Sequence, residues 1–170
     1  LEVVAGIAAE AAEGGASLDF LNLGGGFPGT YVDATPTIPA YGAAVRSALD
    51  TWFPNRNFEL MIEPGRSLVG NAGVCLSEVQ YLKPGEQKNF CIIDAAMNDL
   101  PRPAMYEAFH QIVPVSARAG EAVTYDVVGP VCESGDWLGH DRSLTTQAGD
   151  VLAVLSAGAY CMSMASNYNT

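Results

Sequence analysis

Helix-forming and strand-forming stretches alternate over the first seventy residues, and this alternation limits the possible folds more than any other feature. Apolar residues recur at helical spacing from Leu1 to Ala12 and again from Ile38 to Trp52. Short apolar runs at 18–23 and 58–62 are typical of strands. This α-β-α-β order, with about one strand per 40 residues, predicts a parallel α/β architecture.

The pattern changes near Asn71, where short strands separated by turn signals replace the helical spacing. Strands are predicted at 74–82, 90–93, 112–115, 125–131 and 151–155, with a turn at Lys83–Glu86. We therefore predict two domains: an α/β part at residues 1–70 and a mainly β part at residues 71–170. The chain starts within a helix without a methionine and stops without a helix cap, so we expect a piece of a longer protein.

Charge and cysteine content narrow the possible partners. The net charge is −11, from 8 basic and 19 acidic residues, which argues against nucleic acid and anionic membranes because both require basic patches. The sequence has no apolar run long enough to span a bilayer and no recognisable signal peptide. The four cysteines are widely spaced without a C-x-x-C pair, which argues against a zinc site and a disulfide framework. We expect a cytoplasmic protein without a bound metal.

Three consecutive glycines, Gly24, Gly25 and Gly26, follow the first predicted strand. They formally begin a G-x-G-x-x-G motif, but Pro28 and Pro36 postpone the helix that a Rossmann dinucleotide site requires. Consecutive glycines can expose backbone N–H groups that cradle one phosphate. They can equally form a tight turn with positive φ, and the residues alone leave both interpretations open.

A second polar cluster, Glu63-Pro64-Gly65-Arg66, follows the second predicted strand. In parallel α/β folds, ligand sites are built at the C-terminal ends of strands, where both clusters lie. Glu63 could stabilise a cationic ring nitrogen, Gly65 allows the backbone to approach a ligand, and Arg66 could bind a carboxylate or phosphate. The alternative is a surface ion pair at a helix start, which the apolar strand leading directly into the motif disfavours.

Arg102 and Tyr106 are four residues apart, so on one helical turn their side chains point the same way. Together they could bind a carboxylate through the guanidinium and the phenol. An Arg–Tyr stacking pair is the commoner arrangement when such a pair is considered alone. Tyr160, in Gly158-Ala159-Tyr160, follows a predicted strand; its hydroxyl could reach a phosphate, or the ring could be a core aromatic.

Cys132 and Glu133 lie in the stretch Val131–Asp136, which contains a thiol, two carboxylates and a glycine. Neighbouring carboxylates favour the protonated thiol, which suits a proton donor better than a resting nucleophile. In a strand the two side chains would point to opposite faces, whereas a loop could aim both at one ligand. The alternatives are a small buried hydrophobe for Cys132 and a turn residue for Asp136.

As an ordered set, these motifs resemble the diaminopimelate decarboxylase family of fold-type III, alanine-racemase-like pyridoxal-phosphate enzymes. The residues that carry the resemblance are Gly24–Gly26, Glu63–Arg66, Met97–Leu100 with Arg102-Pro103 and Tyr106, Cys132–Asp136, Gly158–Tyr160 and Ser166–Asn169. The resemblance implies the last units of a pyridoxal 5'-phosphate-binding (β/α)8 barrel at residues 1–70. It implies a β-sandwich or Greek-key C-terminal domain at residues 71–170, truncated at its end.

The resemblance also implies residue roles. The residues that would contact the cofactor are Gly24, Gly25, Gly26, Glu63, Gly65, Arg66 and Tyr160. Of these, Glu63 would face the pyridine nitrogen and the glycine run would hold the phosphate. The residues that would contact the substrate are Arg66, Arg102, Tyr106, Glu133 and Tyr160. Cys132 would donate a proton and Glu133 would bind the distal amino group, both reaching the partner's site in a homodimer.

The implied reaction is the decarboxylation of meso-2,6-diaminopimelate to L-lysine. The family's Schiff-base lysine has no counterpart here, since neither Lys83 nor Lys88 has a matching context, so we expect the chain alone to be inactive. The stretch 27–31 is closer to ornithine decarboxylases, which keeps an ornithine/lysine or carboxynorspermidine decarboxylase open. Arg102 and Tyr106 favour diaminopimelate, which has an extra carboxylate. A non-catalytic homologue that binds partners is a further possibility.

Overall fold

The computed structural model describes residues 1–27 and 34–169. The chain divides into two compact units, with the boundary between Pro64 and Gly65. Among the residues described, none of the helices is long and apolar enough to cross a membrane.

The first unit contains two helices and a two-stranded parallel sheet. Its elements are α1 (Glu2–Glu13), β1 (Phe20–Asn22), α2 (Ile38–Trp52) and β2 (Glu59–Met61). Leu21 of β1 lies opposite Leu60 of β2. The Thr37 side chain caps α2 by accepting the N–H of Ala40 at 3.3 Å. The predicted α-β-α-β order is confirmed, with strands shorter than the sequence pattern suggested.

The second unit is built on a mixed six-stranded sheet. Two short helical segments, α3 (Gly65–Val69) and a 3-10 helix (Gly70–Ala72), come before it in the chain. The strands are β3 (Cys75–Lys83), β4 (Asn89–Ile93), β5 (Ile112–Pro114), β6 (Val123–Val128), β7 (Trp137–Leu144) and β8 (Val151–Val154). Helix α4 (Arg102–Tyr106) lies between β4 and β5 in the chain, and a 3-10 helix (Met162–Met164) follows β8.

The strand order is β5-β8-β3-β4-β6-β7, and all neighbours are antiparallel except the parallel pair β4 and β6. The edge strands β5 and β7 also contact each other, so the sheet is nearly closed. Strand β3 joins the two sides of the sheet, because its first residues pair with β8 on one side and its last residues pair with β4 on the other. The predicted β domain therefore takes the form of one continuous sheet.

One layer of apolar side chains from this sheet forms the core of the second unit. Its members with no solvent exposure are Val79, Cys91, Ile93, Leu100, Val127, Leu138, Leu152 and Val154. They come from five of the six strands and from the segment before α4, so the core fixes the sheet and the α4 region together.

The sequence prediction was wrong at two places in this sheet. Strand β7 was missed because His140, Asp141 and Arg142 interrupt its apolar pattern. Strand β6 was extended to Val131, whereas it ends at Val128. The chain leaves the sheet at Gly129-Pro130, because proline has no N–H to donate to a strand ladder.

The buried core predicts how two leucine truncations will differ. Leu138→Ala removes a side chain with no exposure and should lower the free energy of unfolding by about 2–5 kcal/mol. Leu76→Ala makes the same change at a side chain that is 62% exposed and should have a much smaller effect. Urea unfolding followed by circular dichroism measures both; equal losses would contradict this assignment of the core.

Candidate active site

The glycine turn and Glu63 meet at the C-terminal ends of β1 and β2. The N–H of Glu63 donates to the carbonyl oxygen of Gly24 at 2.8 Å. A Cβ at Gly25 would lie 2.6 Å from the carbonyl oxygen of Glu63, so no side chain fits there. Gly24 and Gly26 have φ values of 70° and 83°, which glycine adopts without steric cost. The turn therefore requires all three glycines.

The same turn leaves donors available for an anion. Among the residues that the structure describes, the N–H groups of Gly25 and Gly26 have no hydrogen-bond acceptor. Adjacent backbone N–H groups in a turn form a concavity that binds phosphate. The turn and phosphate-cradle interpretations are therefore compatible at this position. Most of the Phe27–Tyr31 stretch, from Pro28 onward, lies outside the described residues.

Asn22 links the glycine turn to Glu63, a role that the sequence analysis missed. Its Oδ1 accepts the N–H of Gly24 at 2.8 Å, and its Nδ2 donates to Oε1 of Glu63 at 2.7 Å. One amide thereby fixes the Glu63 carboxylate relative to the turn. The available signal was an asparagine at a strand end, since such side chains often hydrogen-bond the backbone two residues on.

In the second unit, Arg102 and Tyr106 lie on one turn of α4, as predicted, and Tyr160 lies beside them. The guanidinium carbon of Arg102 is 5.9 Å from the ring centroid of Tyr106 and 5.7 Å from that of Tyr160. These distances are at the outer range of cation–π contacts. The Nε of Arg102 is buried and has no acceptor among residues 1–27 and 34–169. The rings lie beside a guanidinium that has no ion pair among the described residues.

Arg66 lies on α3, and the chain just after α3 packs against the loop that carries Tyr160. The N–H of Gly158 donates to the carbonyl oxygen of Gly70 at 2.9 Å. A Cβ at Gly158 would collide with the carbonyl oxygen of Val69, so this approach requires glycine. The Nε of Arg66 is also buried without an acceptor in the described part of the chain. Gly65 begins α3, and open space surrounds the position of its missing Cβ.

Cys132 and Glu133 lie in the loop between β6 and β7, which is the arrangement that allows both to face one ligand. Cys132 is exposed, so the alternative of a small buried hydrophobe is wrong. Hydrogen bonds from the N–H of Gly135 and the hydroxyls of Tyr168 and Ser134 lower the pKa of Glu133. These donors stabilise the ionised form of Glu133 and orient its carboxylate.

Asp136 ties this loop to the segment before α4. It is only 4% exposed, and its two carboxylate oxygens accept the N–H groups of Met97 and Val131, each at 2.7 Å. The sequence analysis offered Asp136 only as a turn residue. Its partner at Met97 is 39 residues away, so no local pattern could have indicated this contact.

The segment Met97–Asp99 connects the remaining parts of the site. The side-chain amide of Asn98 donates to the carbonyl oxygen of Ser166 at 3.2 Å, and the N–H of Ser166 donates to the carbonyl oxygen of Asn98 at 2.9 Å. The thiol of Cys161, next to Tyr160, donates to the carbonyl oxygen of Asp99 at 3.3 Å. Arg102, Tyr160 and the Cys132–Glu133 loop are thus attached to one segment.

A cavity of about 790 Å³ lies beside this segment, and Cys75, Asp94, Asp99 and Cys161 are among the residues that line it. A hydrogen bond between the two thiols raises the pKa of Cys75 and lowers that of Cys161. The sequence analysis assigned no role to either cysteine.

The sequence of this chain matches a known protein family. A family model described as pyridoxal-dependent decarboxylase, C-terminal sheet domain, matches residues 10–158. The chain belongs to this family. This match confirms the resemblance that the ordered motifs indicated. The six-stranded mixed sheet of the second unit is the C-terminal sheet of fold-type III decarboxylases.

Curated relatives are diaminopimelate decarboxylases. The one from Vibrio cholerae is 52% identical over 156 residues, which cover 92% of this chain and 37% of the relative. The one from Pseudomonas aeruginosa is 47% identical and matches 100% of this chain and 40% of its own length. The chain therefore spans about two fifths of the length of the curated relatives that it matches.

Solved structures give the same fold. Diaminopimelate decarboxylase from Helicobacter pylori complexed with L-lysine has a TM-score of 0.88 and 38% identity, and the match covers 99% of this chain and 41% of that one. Lysine/ornithine decarboxylase from Vibrio vulnificus complexed with cadaverine has a TM-score of 0.83 at 24% identity, over 96% and 44%. The second likeness shows the shared fold only.

Substitution of Asp136 tests its part in holding the loop. Asp136→Asn replaces one acceptor oxygen by a donor group that faces a backbone N–H. We expect the free energy of unfolding to fall by about 1–3 kcal/mol and the Met97 and Val131 amides to exchange faster with deuterium. Hydrogen-exchange mass spectrometry measures both segments.

Asp141→Asn is the matched control, because Asp141 is exposed and asparagine tolerates its positive φ of 53°. Unchanged exchange at Met97 in Asp136→Asn would show that the carboxylate does not hold the two segments together.

Proposed function

We propose that the chain is the C-terminal part of a pyridoxal-phosphate-dependent decarboxylase that converts meso-2,6-diaminopimelate to L-lysine. The observation that carries the proposal is the guanidinium of Arg102, which lies near two tyrosine rings with its buried Nε unpaired among the described residues. Among the described residues this guanidinium also has no carboxylate partner, so a substrate carboxylate is the anion that would pair with it. The identity to diaminopimelate decarboxylases supports this reading.

The first unit has the donors and acceptor that the cofactor requires. The N–H groups of Gly25 and Gly26 would bind the cofactor phosphate next to Gly24, and Glu63 would hold a proton on the pyridine nitrogen. Pyridoxal phosphate, when bound, supplies an electron sink for the electrons released with CO2. The hydrogen bond from Asn22 orients the Glu63 carboxylate for this contact.

Residues of the second unit would also contact the cofactor and substrate. Gly65, Arg66 and Tyr160 would contact the cofactor. Arg66, Arg102, Tyr106 and Tyr160 would bind substrate, and the fork of a guanidinium suits a carboxylate. The second carboxylate of diaminopimelate is the group that ornithine and lysine lack, so these residues would set the preference for the dicarboxylic substrate.

The exposed loop between β6 and β7 would serve the site of a partner subunit. Cys132 would donate the proton that replaces the lost carboxylate, and the Glu133 carboxylate would bind the distal ammonium of the substrate. The exposure of Cys132 supports a loop that reaches outward. A homodimer with shared active sites follows from this assignment.

The finer architecture belongs to the same proposal. Residues 1–70 would be the last units of the pyridoxal-phosphate-binding (β/α)8 barrel, and residues 71–170 the C-terminal β domain of β-sandwich or Greek-key type. The lysine that binds the cofactor would lie outside this chain, which alone would be inactive. A cytoplasmic location, and a function without nucleic acid, membrane or metal, stay predictions.

An ornithine/lysine or carboxynorspermidine decarboxylase is the second candidate. It is favoured by the Phe27–Tyr31 sequence and by the fold shared with the lysine/ornithine decarboxylase of Vibrio vulnificus. The identity with that protein is 24%, against 52% with the diaminopimelate decarboxylase of Vibrio cholerae. A non-catalytic homologue that acts by binding partners is the third.

The deciding experiment uses the full-length protein that carries residues 1–170, loaded with pyridoxal phosphate. We expect CO2 release from meso-diaminopimelate and none from ornithine or lysine. Release from ornithine or lysine instead would assign the protein to the polyamine branch. No release from any of the three, with cofactor bound, would favour the non-catalytic homologue.

Arg102→Lys tests the carboxylate contact. Lysine keeps the charge but loses the fork, so we expect kcat/KM for meso-diaminopimelate to fall by about tenfold to a hundredfold, with cofactor affinity unchanged. Arg118→Lys is the matched control, because Arg118 forms an ion pair with Asp150 at the surface. Equal kcat/KM in both variants would show that Arg102 does not bind the substrate.

A further inference from the structure

The last described residues, Ser166–Asn169, connect two parts of the second unit; we call them the C-terminal segment. At one end, two backbone and side-chain hydrogen bonds join Ser166 to Asn98. At the other end, the side-chain amide of Asn169 donates to the carbonyl oxygen of Cys132 at 3.2 Å. The segment therefore lies across the loop that carries Cys132 and Glu133.

Within this segment, Tyr168 contacts the Glu133 carboxylate. Its hydroxyl donates to Oε2 of Glu133 at 3.2 Å. The other oxygen, Oε1, accepts the N–H of Gly135 and the hydroxyl of Ser134, both at 3.3 Å. Among the described residues, Tyr168 is the only partner of Oε2. Removing the tyrosine hydroxyl would thus leave Oε2 of Glu133 without a hydrogen-bond donor among the described residues.

These contacts orient the charge of Glu133 without neutralising it. Glu133 accepts hydrogen bonds from the N–H of Gly135 and the hydroxyls of Ser134 and Tyr168, and the N–H of Ser134 also lowers its pKa. All of these donors are neutral, and none of the described basic residues forms an ion pair with Glu133. A substrate ammonium would supply the missing positive charge, with the carboxylate held in place beforehand.

We propose that Tyr168 is a positioning residue that fixes the Glu133 carboxylate for the distal ammonium of the substrate. The inference rests on the proposed function, since it concerns the group that Glu133 would bind there. Tyr168 acts through Glu133, while Asn169 holds the backbone of the same loop. An ammonium group contributes more to the binding free energy when the carboxylate that it contacts is already ordered before binding.

The hydroxyl also affects the charge state of Glu133. The donors from Gly135, Tyr168 and Ser134 together lower its pKa, so losing the Tyr168 donor raises that pKa toward the ordinary value. A raised carboxylate pKa means that protonation begins at higher pH. The acidic limb of the pH profile of kcat/KM therefore moves to higher pH in the variant.

Tyr168→Phe in the full-length holoenzyme tests the proposal, since it removes one hydroxyl and keeps the ring. We expect KM for meso-diaminopimelate to rise about threefold to tenfold, with kcat within about twofold and cofactor absorbance unchanged. Tyr81→Phe, at an exposed tyrosine of β3, is the matched control and should leave KM unchanged.

A double-mutant cycle distinguishes positioning from a general structural effect. In a Glu133→Gln background, Tyr168→Phe should cause no further rise in KM, because its effect passes through the carboxylate. An unchanged KM in Tyr168→Phe, or an equal rise in both backgrounds, would overturn the proposal.

A different experimental result would show that the proposed function is wrong. If the unmutated holoenzyme releases no CO2 from meso-diaminopimelate, that function is wrong whatever Tyr168 does. The carboxyl ¹³C titration of Glu133 then tests the positioning contact by itself. A higher Glu133 pKa in Tyr168→Phe than in the unmutated protein supports the contact, and identical titrations overturn it.

Discussion

The buried carboxyl group of Asp136 is the interaction on which the site of the second unit depends. A buried polar group is unfavourable unless its hydrogen bonds are satisfied, and Asp136 satisfies its own with the N–H groups of Met97 and Val131. Separating the loop from the Met97 segment would break the hydrogen bond between Met97 and one carboxylate oxygen, whereas the bond to Val131 lies within the loop. Because Asn98 and Asp99 extend from the same segment, the constraint continues to the C-terminal segment and to Cys161.

In the first unit, too, one polar side chain forms hydrogen bonds to two different segments. Asn22 occupies the end of β1, and its single amide connects the glycine turn to the Glu63 carboxylate. The backbone of Gly25 approaches that of Glu63 so closely that the ends of the two strands are in direct contact. In both units, a short polar side chain with two partners positions the charged residue proposed to meet the ligand.

The sequence predicted most local features but none of the contacts between distant segments. The α-β-α-β order follows from apolar periodicity, and the common direction of Arg102 and Tyr106 follows from their spacing. The long-range contacts of Asn22, Asp136 and Tyr168 were missed because their partners lie 41, 39 and 35 positions away, respectively. Strand β7 was missed because its middle residues His140, Asp141 and Arg142 are polar or charged, which interrupts the apolar pattern.

The basic residues of the described chain differ in whether they have an acidic partner. In a chain of net charge −11, acidic partners are plentiful, and Arg56, Lys88 and Arg118 each form an ion pair. Arg66 and Arg102 instead keep a buried Nε without an acceptor in the described part of the chain. Arg142 shares that feature, but its guanidinium carbon lies 4.0 Å from the centroid of the Phe109 ring. Arg66 and Arg102 also have no ion pair among the described residues, which is why the proposed function assigns the anionic groups of the ligand to them.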